Sequence, residues 1–153
     1  MEGTVSVTSI NWLEWSDNAF ARAKAEDKPI LLDIGAVWCH WCHRMDEDTY
    51  DQPEVAAFIN RYFVPIKVDN DRRPDINARY NMGGWPTTVF LTPDGEIITG
   101  ATYILPTQMP RVMSQVVQAY RDNKTAVLQQ TAEIARKREE ASRTRPRPDA
   151  RSS

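Results

Sequence analysis

Apolar residues recur along this chain at two different periods, and the switches between them mark out its elements. Ile30–Ala36 reads ILLDIGA, a short apolar run with a single acid, Asp33, inside it. A run with no polar face reads as a central strand buried on both sides, and Asp33 is its anomaly. FVPIKV (Phe63–Val68) and TTVFL (Thr87–Leu91) read as a second and a third strand. In TPDG (Thr92–Gly95) the second position is proline, which presets a turn, and EIITGAT returns from it as a fourth strand. Between the strands the period becomes helical. Ser16–Lys28 can be capped by Ser16, turns Phe20 and Ala23 toward a core, and stops at Lys28-Pro29. His40 to about Asp48 reads as helical, Pro53 opens a helix that runs to Tyr62, and Pro74–Tyr80 is another short one. From Thr107 onward, Met109, Val112, Met113, Val116, Val117 and Tyr120 share one helical face, and a polar extension continues toward Glu140.

Strands separated by helices make parallel crossovers, and a tight turn at the end makes an antiparallel hairpin. The order predicts an α/β fold: a mixed four-stranded central sheet with helices on both faces. No internal repeat is present. Residues 1–9 read as a flexible N-terminus, 10–121 as the domain, 122–140 as a helical extension, and 141–153 as a disordered basic tail.

Composition narrows the function classes. A chain of 153 residues suits one domain with a sizeable core. Its net charge is −2, but residues 136–153 hold seven Lys or Arg against three Asp or Glu, so the rest is clearly acidic. An acidic body argues against a nucleic-acid surface. No apolar run approaches the ~18–20 residues that a membrane span needs. The stretch MEGTVSVTSINW has neither a basic start nor an apolar core, so it does not read as a secretory signal, and a cytoplasmic location is expected. In a reducing compartment two cysteines point to chemistry or metal binding rather than to a permanent staple.

Those two cysteines sit beside both histidines of the chain, as CHWCH: Cys39, His40, Trp41, Cys42 and His43. Four kinds of chemistry use such a stretch. A zinc site normally draws ligands from two separated segments, and no second segment here supplies Cys or His. Cys-x-x-Cys-His is also the attachment signature of c-type haem, with His43 as the axial ligand, yet it follows here on a buried strand of an α/β pattern. Two inert buried thiols are the bland alternative. Thiol–disulfide exchange fits the placement. At the start of a helix, unpaired backbone N–H groups and the positive end of the dipole stabilise a thiolate. Cys39 is then expected to be exposed, with its pKa drawn below the free value of about 8.5, and Cys42, one turn deeper, resolves the mixed disulfide.

NWLEWSDNAFARAKAEDKPILLDIG, CHWCHRM, VPIKVDNDRRPDI and GGWPTTVFLTPDG carry a resemblance. Over roughly residues 10–120 the chain resembles the thioredoxin superfamily, and within it the thioredoxin-like domain of the spermatogenesis-associated protein family. That likeness implies the thioredoxin fold. By position, Trp38 matches the tryptophan ahead of the first cysteine, and Asp33 matches a buried acid beneath the resolving cysteine. Such a carboxylate has a raised pKa and can take the Cys42 proton. Lys67 matches the lysine that pairs with this acid. Pro86 matches the cis-proline, and the backbone of Trp85 is expected to pair with an extended substrate segment. Trp12 and Trp15 match an aromatic pair read as packing, and Met45 is read as core. The sequence departs from thioredoxin in two places. His40-Trp41 stands where thioredoxin has Gly-Pro, and Glu47 stands where thioredoxin has the proline that kinks its active-site helix. A partly protonated His40 near the Cys39 sulfur favours the thiolate and makes the pair more oxidising, and His43 can add to this. Family members usually carry a long helical, carbohydrate-epimerase-like region that has no counterpart in these residues.

The resemblance implies a thiol–disulfide oxidoreductase acting on protein thiols and disulfides with a thiol reductant system. Cys39 is the nucleophile, Cys42 resolves, and Asp33 and Lys67 assist the proton. His40, Trp41, His43 and Trp38 tune the pair, and Trp85 and Pro86 hold the substrate. The cysteine pair carries the electrons, so no cofactor and no metal are expected, and the expected state is a monomer. The contrasting reading is a binding module that presents Trp41 and Trp85 to a partner.

Overall fold

Alternate residues of the central strand point to opposite sides of the sheet, and this sets the layout of the molecule. The computed structural model describes residues 9–122 and 133–141. Strand β1 (Ile30–Gly35) pairs parallel with β2 (Val64–Asp69) and antiparallel with β3 (Thr87–Leu91), which pairs antiparallel with β4 (Ile97–Ala101). The sheet order is β2-β1-β3-β4. Outside β2, Leu13 adds a single parallel bridge to Ile66. Ile30, Leu32 and Ile34 enter one core, whereas Leu31 enters the other. By the same period Asp33 and Gly35 take the side of Leu31.

On the first face lie α1 (Asp17–Glu26) and α4 (Pro74–Tyr80). Their Ala19, Ala23, Ile76 and Tyr80 pack on Ile30, Leu32, Val64, Ile66 and Val89. The Ser16 hydroxyl accepts the Ala19 N–H at 3.2 Å and caps α1, which ends at Asp27 in the left-handed conformation, φ 56°. On the second face lie α2 (His40–Met45), α3 (Pro53–Tyr62) and α5 (Met109–Asp122). Met45, Ile59, Met109, Met113 and Val116 pack there on Leu31, Phe63 and Phe90. The hairpin turn closes with Gly95 at φ 86°, donating its N–H to the Thr92 carbonyl at 2.8 Å.

One element departs from expectation. The helix predicted from His40 to about Asp48 stops as an α-helix at Met45 and widens into a π-helical turn over Asp46–Tyr50. The wider turn buries Thr49 and Tyr50 together. Thr49 donates its hydroxyl to the Ile104 carbonyl at 2.8 Å, and Tyr50 meets Trp12 edge-on at 5.2 Å. Glu47, where thioredoxin has its kink proline, lies within this π turn.

Residues 133–141 are helical, and Arg138 reaches Glu96 at 3.7 Å. The remainder of the expected extension, 123–132, lies outside the described residues, as do 1–8 and 142–153. Ser9 is tied to the domain: its carbonyl accepts from the Asn60 amide at 2.7 Å. Among the described residues no helix is long and apolar enough to cross a membrane.

Candidate active site

Cys39 is the N-cap of α2, where the chain leaves β1. Its Sγ accepts the backbone N–H of Cys42 at 3.2 Å, and the two residues form a disulfide with their Cα atoms 5.3 Å apart. A sulfur that accepts an N–H at a helix start is held where negative charge is favoured. The expectation that Cys39 is the exposed member is corrected: Cys39 and Cys42 are 7% and 8% exposed. Both pack with Ala36, and Trp85 packs against this cluster. Exposure lies instead on the rim, at Val37, Trp38 (58%) and Trp41 (57%). Beneath the pair, Gly35 makes room. A Cβ there would lie 3.2 Å from the Cys42 sulfur, so the missing side chain lets that sulfur rest on β1.

Two residues before Gly35, on the same side of β1, Asp33 is buried at 4% exposure. Register places it opposite Lys67 on β2 and Thr88 on β3. Lys67 Nζ donates to Asp33 Oδ2 at 3.2 Å and to Asp46 Oδ1 at 3.0 Å, and lies 5.1 Å from the centre of the Trp12 ring. Burial pushes the Asp33 carboxyl up to about 6, with Lys67 pulling it down and Asp46 pushing it up. Burial works against the Lys67 charge, but the two carboxylates outweigh it and hold the ammonium above its ordinary range. A cleft of about 260 Å³ connects these groups, with Asp33, Gly35, Cys42, Asp46 and Lys67 in its walls. Burial and the Asp33 charge raise the Tyr50 phenol well above its usual range. Its hydroxyl has no well-formed hydrogen bond among the described residues.

Across from the disulfide runs the Gly83–Pro86 loop, with the Trp85–Pro86 peptide bond cis. Side chains behind it hold it down. Trp85 Nε1 donates to Asn77 Oδ1 at 3.1 Å, Gly83 N to Asn81 Oδ1 at 2.7 Å, and the Thr87 hydroxyl to the Gly84 carbonyl at 2.6 Å. The Trp85 ring meets Trp38 edge-on at 5.6 Å, and Trp38 Nε1 donates to Asp71 Oδ2 at 2.9 Å. On the other flank Trp41 meets Tyr103 at 5.7 Å. The histidines face outward. His43 Nε2 bonds the Val37 carbonyl at 2.7 Å, and the His40 ring packs edge-on against Trp41 at 5.2 Å. Among the described residues no group of three or more His, Cys, Asp or Glu is arranged to hold a metal ion.

Fold geometry therefore brings Cys39, Cys42, Asp33, Lys67, Trp38, Trp85 and Pro86 to one end of the sheet. Sequence reasoning missed Asp46, Thr88, Asn77, Asn81 and Asp71. Asp46 did leave a signal, since it follows Cys42 by four residues and so shares its helix face. Asn77 on α4 and Asn81, the residue that follows that helix, left the same spacing. Asp71 left none, because its partner lies 33 residues away.

Comparison with known proteins agrees with this geometry. The profile of the Thioredox_DsbH family, described as a protein of unknown function (DUF255), matches residues 4–139. Human spermatogenesis-associated protein 20 is 32% identical over 139 residues, covering 82% of this chain and 18% of that protein. The disulfide bond reductase DsbH of Chlamydia pneumoniae is 23% identical over 104 residues, covering 60% of this chain and 62% of that one. A solved DsbH oxidoreductase superposes with a TM-score of 0.63 at 20% identity, covering 74% of this chain and 90% of the other. The chain spans under a fifth of the length of its longer curated relatives. With the profile covering nearly the whole sequence and the thioredoxin fold in place, the chain belongs to the DsbH-like thioredoxin family.

Proposed function

We propose that this chain catalyses thiol–disulfide exchange on protein substrates through Cys39 and Cys42. One observation carries the reading: a disulfide pair at the start of α2, seated over a buried carboxylate and facing the Trp85–Pro86 loop. In the reducing direction the Cys39 thiolate attacks a substrate disulfide, and one substrate sulfur leaves as thiolate. Cys42 gives its proton to Asp33 and attacks the Cys39 sulfur. The Cys39–Cys42 bond forms, and the second substrate sulfur leaves with the bonding pair. Two electrons from a thiol reductant return the oxidised pair to the dithiol, so the reading needs no bound cofactor. An extended substrate segment pairs with the Trp85 backbone, and the exposed rims of Trp38 and Trp41 give it apolar contact. Reductase and isomerase work share this chemistry and differ in potential, from about −270 mV for thioredoxin to about −180 mV for protein disulfide isomerase.

The test uses a disulfide-bonded reporter peptide with glutathione as reductant. The wild-type chain is expected to accelerate reporter reduction, Cys39→Ser to return it to the glutathione background, and Cys42→Ser to accumulate a mixed disulfide visible by mass. A wild-type rate at background sinks the reading and leaves the aromatic rim as a binding surface. Equilibration of the pair in thiol buffers then places the protein on the potential scale.

A further inference from the structure

One ammonium serves two carboxylates beside the resolving cysteine. Lys67 Nζ stands 3.2 Å from Asp33 Oδ2 and 3.0 Å from Asp46 Oδ1. The carboxylates differ in setting. Asp33 is enclosed beneath α2, whereas the Asp46 side chain is 41% exposed. Asp46 begins the π turn and is the fourth residue after Cys42, so it is carried on the same helix as the sulfur that must lose a proton. Asp33, Cys42, Asp46 and Lys67 all line one cleft. We propose that Asp46 is a positioning residue for the exchange reaction: it shares the Lys67 ammonium and so leaves the Asp33 carboxylate only partly neutralised and able to accept the Cys42 proton. The inference rests on the exchange reading above.

Charge balance supports this role. A single cation shared between two anions neutralises neither fully. Asp33 is faced by Lys67 from β2, by Asp46 and Tyr50 from the π turn and by Thr88 from β3, and it shares its cleft with Cys42 and His43 from α2 and Asp69 from β2. Among these charges Lys67 favours the ionised form of Asp33 and Asp46 opposes it. A carboxylate that titrates near neutrality is a better proton acceptor for a thiol than one fully neutralised by a cation. In the step itself the Cys42 proton passes to an Asp33 oxygen. The Cys42 sulfur then bonds to the Cys39 sulfur, and the bond from Cys39 to the substrate breaks with its electron pair on the substrate sulfur. The proton on Asp33 then leaves through the cleft to solvent.

Two roles for Asp46 predict opposite signs. If Asp46 only tethers Lys67 near Asp33, removing its charge loosens the lysine and acts like removing the lysine. If it competes for Lys67, removing its charge strengthens the Asp33–Lys67 pair. The experiment loads Cys39 of the full chain with thionitrobenzoate and follows release of the coloured thiol by Cys42 from pH 5 to 8. Asp46→Asn is expected to move the midpoint of this profile down by about half a pH unit, with Lys67→Met moving it up and Asp46→Glu restoring the wild-type curve. An unchanged midpoint in Asp46→Asn, or an upward one, overturns the inference. Should that variant fail to fold by circular dichroism, Asp46→Ser carries the same expectation. If wild-type release is no faster than in Cys42→Ser, the exchange reading itself fails, which is a different result from an unmoved midpoint.

Discussion

Asp33 keeps 4% of its surface in contact with solvent and titrates at about 6, above the ordinary 3.8 of an aspartate. The direction of this shift has a consequence for stability. Between the two values the folded protein binds more protons than the unfolded chain, so stability falls as pH rises through that window. Above about pH 6 the ionised, buried carboxylate is a burden on the fold, only partly offset by Lys67. Asp33→Asn is therefore expected to raise stability at pH 8 by on the order of 2 kcal/mol and to flatten its change between pH 4 and 6. Lys67 keeps Asp46 as a partner in that variant. Urea unfolding of the oxidised protein at several pH values checks this, and a variant less stable than wild type at pH 8 contradicts it. The same substitution is expected to slow the Cys42 step, so the residue that weakens the fold is the one that the proposed chemistry uses. The histidines offer a contrast. His43 is bonded to the Val37 carbonyl and His40 rests on Trp41, so any effect on the potential comes from groups already engaged elsewhere.

At the scale of elements, the helix bearing the disulfide is held at both ends by different means. Its start is capped by the Cys39 sulfur itself. Its end is the π turn, pinned by Thr49 to the Ile104 carbonyl in the segment between β4 and α5. That bond is fully enclosed, because Thr49 has no exposed surface and Ile104 is buried. Thr49→Val keeps the shape and removes the donor, leaving a buried carbonyl unpaired, and is expected to cost about 1–2 kcal/mol. Denaturant titration reads this as a lower midpoint at unchanged slope, and an unchanged midpoint shows that the turn is held by Tyr50 and Trp12 alone. The opposite wall of the site is braced similarly, by Asn77, Asn81 and Thr87 behind the Trp85–Pro86 loop. Rigid supports on both sides keep the sulfur pair and the substrate strand in a constant relation.

For the whole molecule, the sheet joins two cores that share the same strands. Leu31 and Phe90 face α3 and α5, while Ile30, Leu32, Val89 and Leu91 face α1 and α4. Neither core can melt without exposing strands that the other requires, so unfolding is expected to be a single transition. Tryptophan fluorescence reports on Trp12 and Trp15, which pack against different cores, and far-UV circular dichroism reports on the helices. Coincident urea curves fit this picture, whereas separated midpoints mean that the faces unfold independently. The shared sheet also explains why the site lies at one end: the β1–α2 junction and the Trp85–Pro86 loop both meet there, so two distant segments face each other across the sulfurs.

Much of this architecture is legible in the amino-acid sequence. Apolar runs and the helical period mark the four strands and most helix limits, because burial imposes them locally on each element. CHWCH after a buried strand, with GGWP further on, points to the family and to the cysteine pair. Asp33 stands out because an acid inside an apolar run has to find a partner. Three features depend on tertiary contacts. The π turn arises because Thr49 and Tyr50 find their partners at Ile104 and Trp12, far away in sequence. The low exposure of Cys39 goes with a cluster against which Trp85, more than 40 residues away, packs. The sharing of Lys67 between Asp33 and Asp46 joins a strand, its neighbour and a helix end. Local patterning determines which elements form and which faces they bury. Only the packed molecule decides which charges meet under the disulfide, because each of those distances spans elements that the sequence does not bring together.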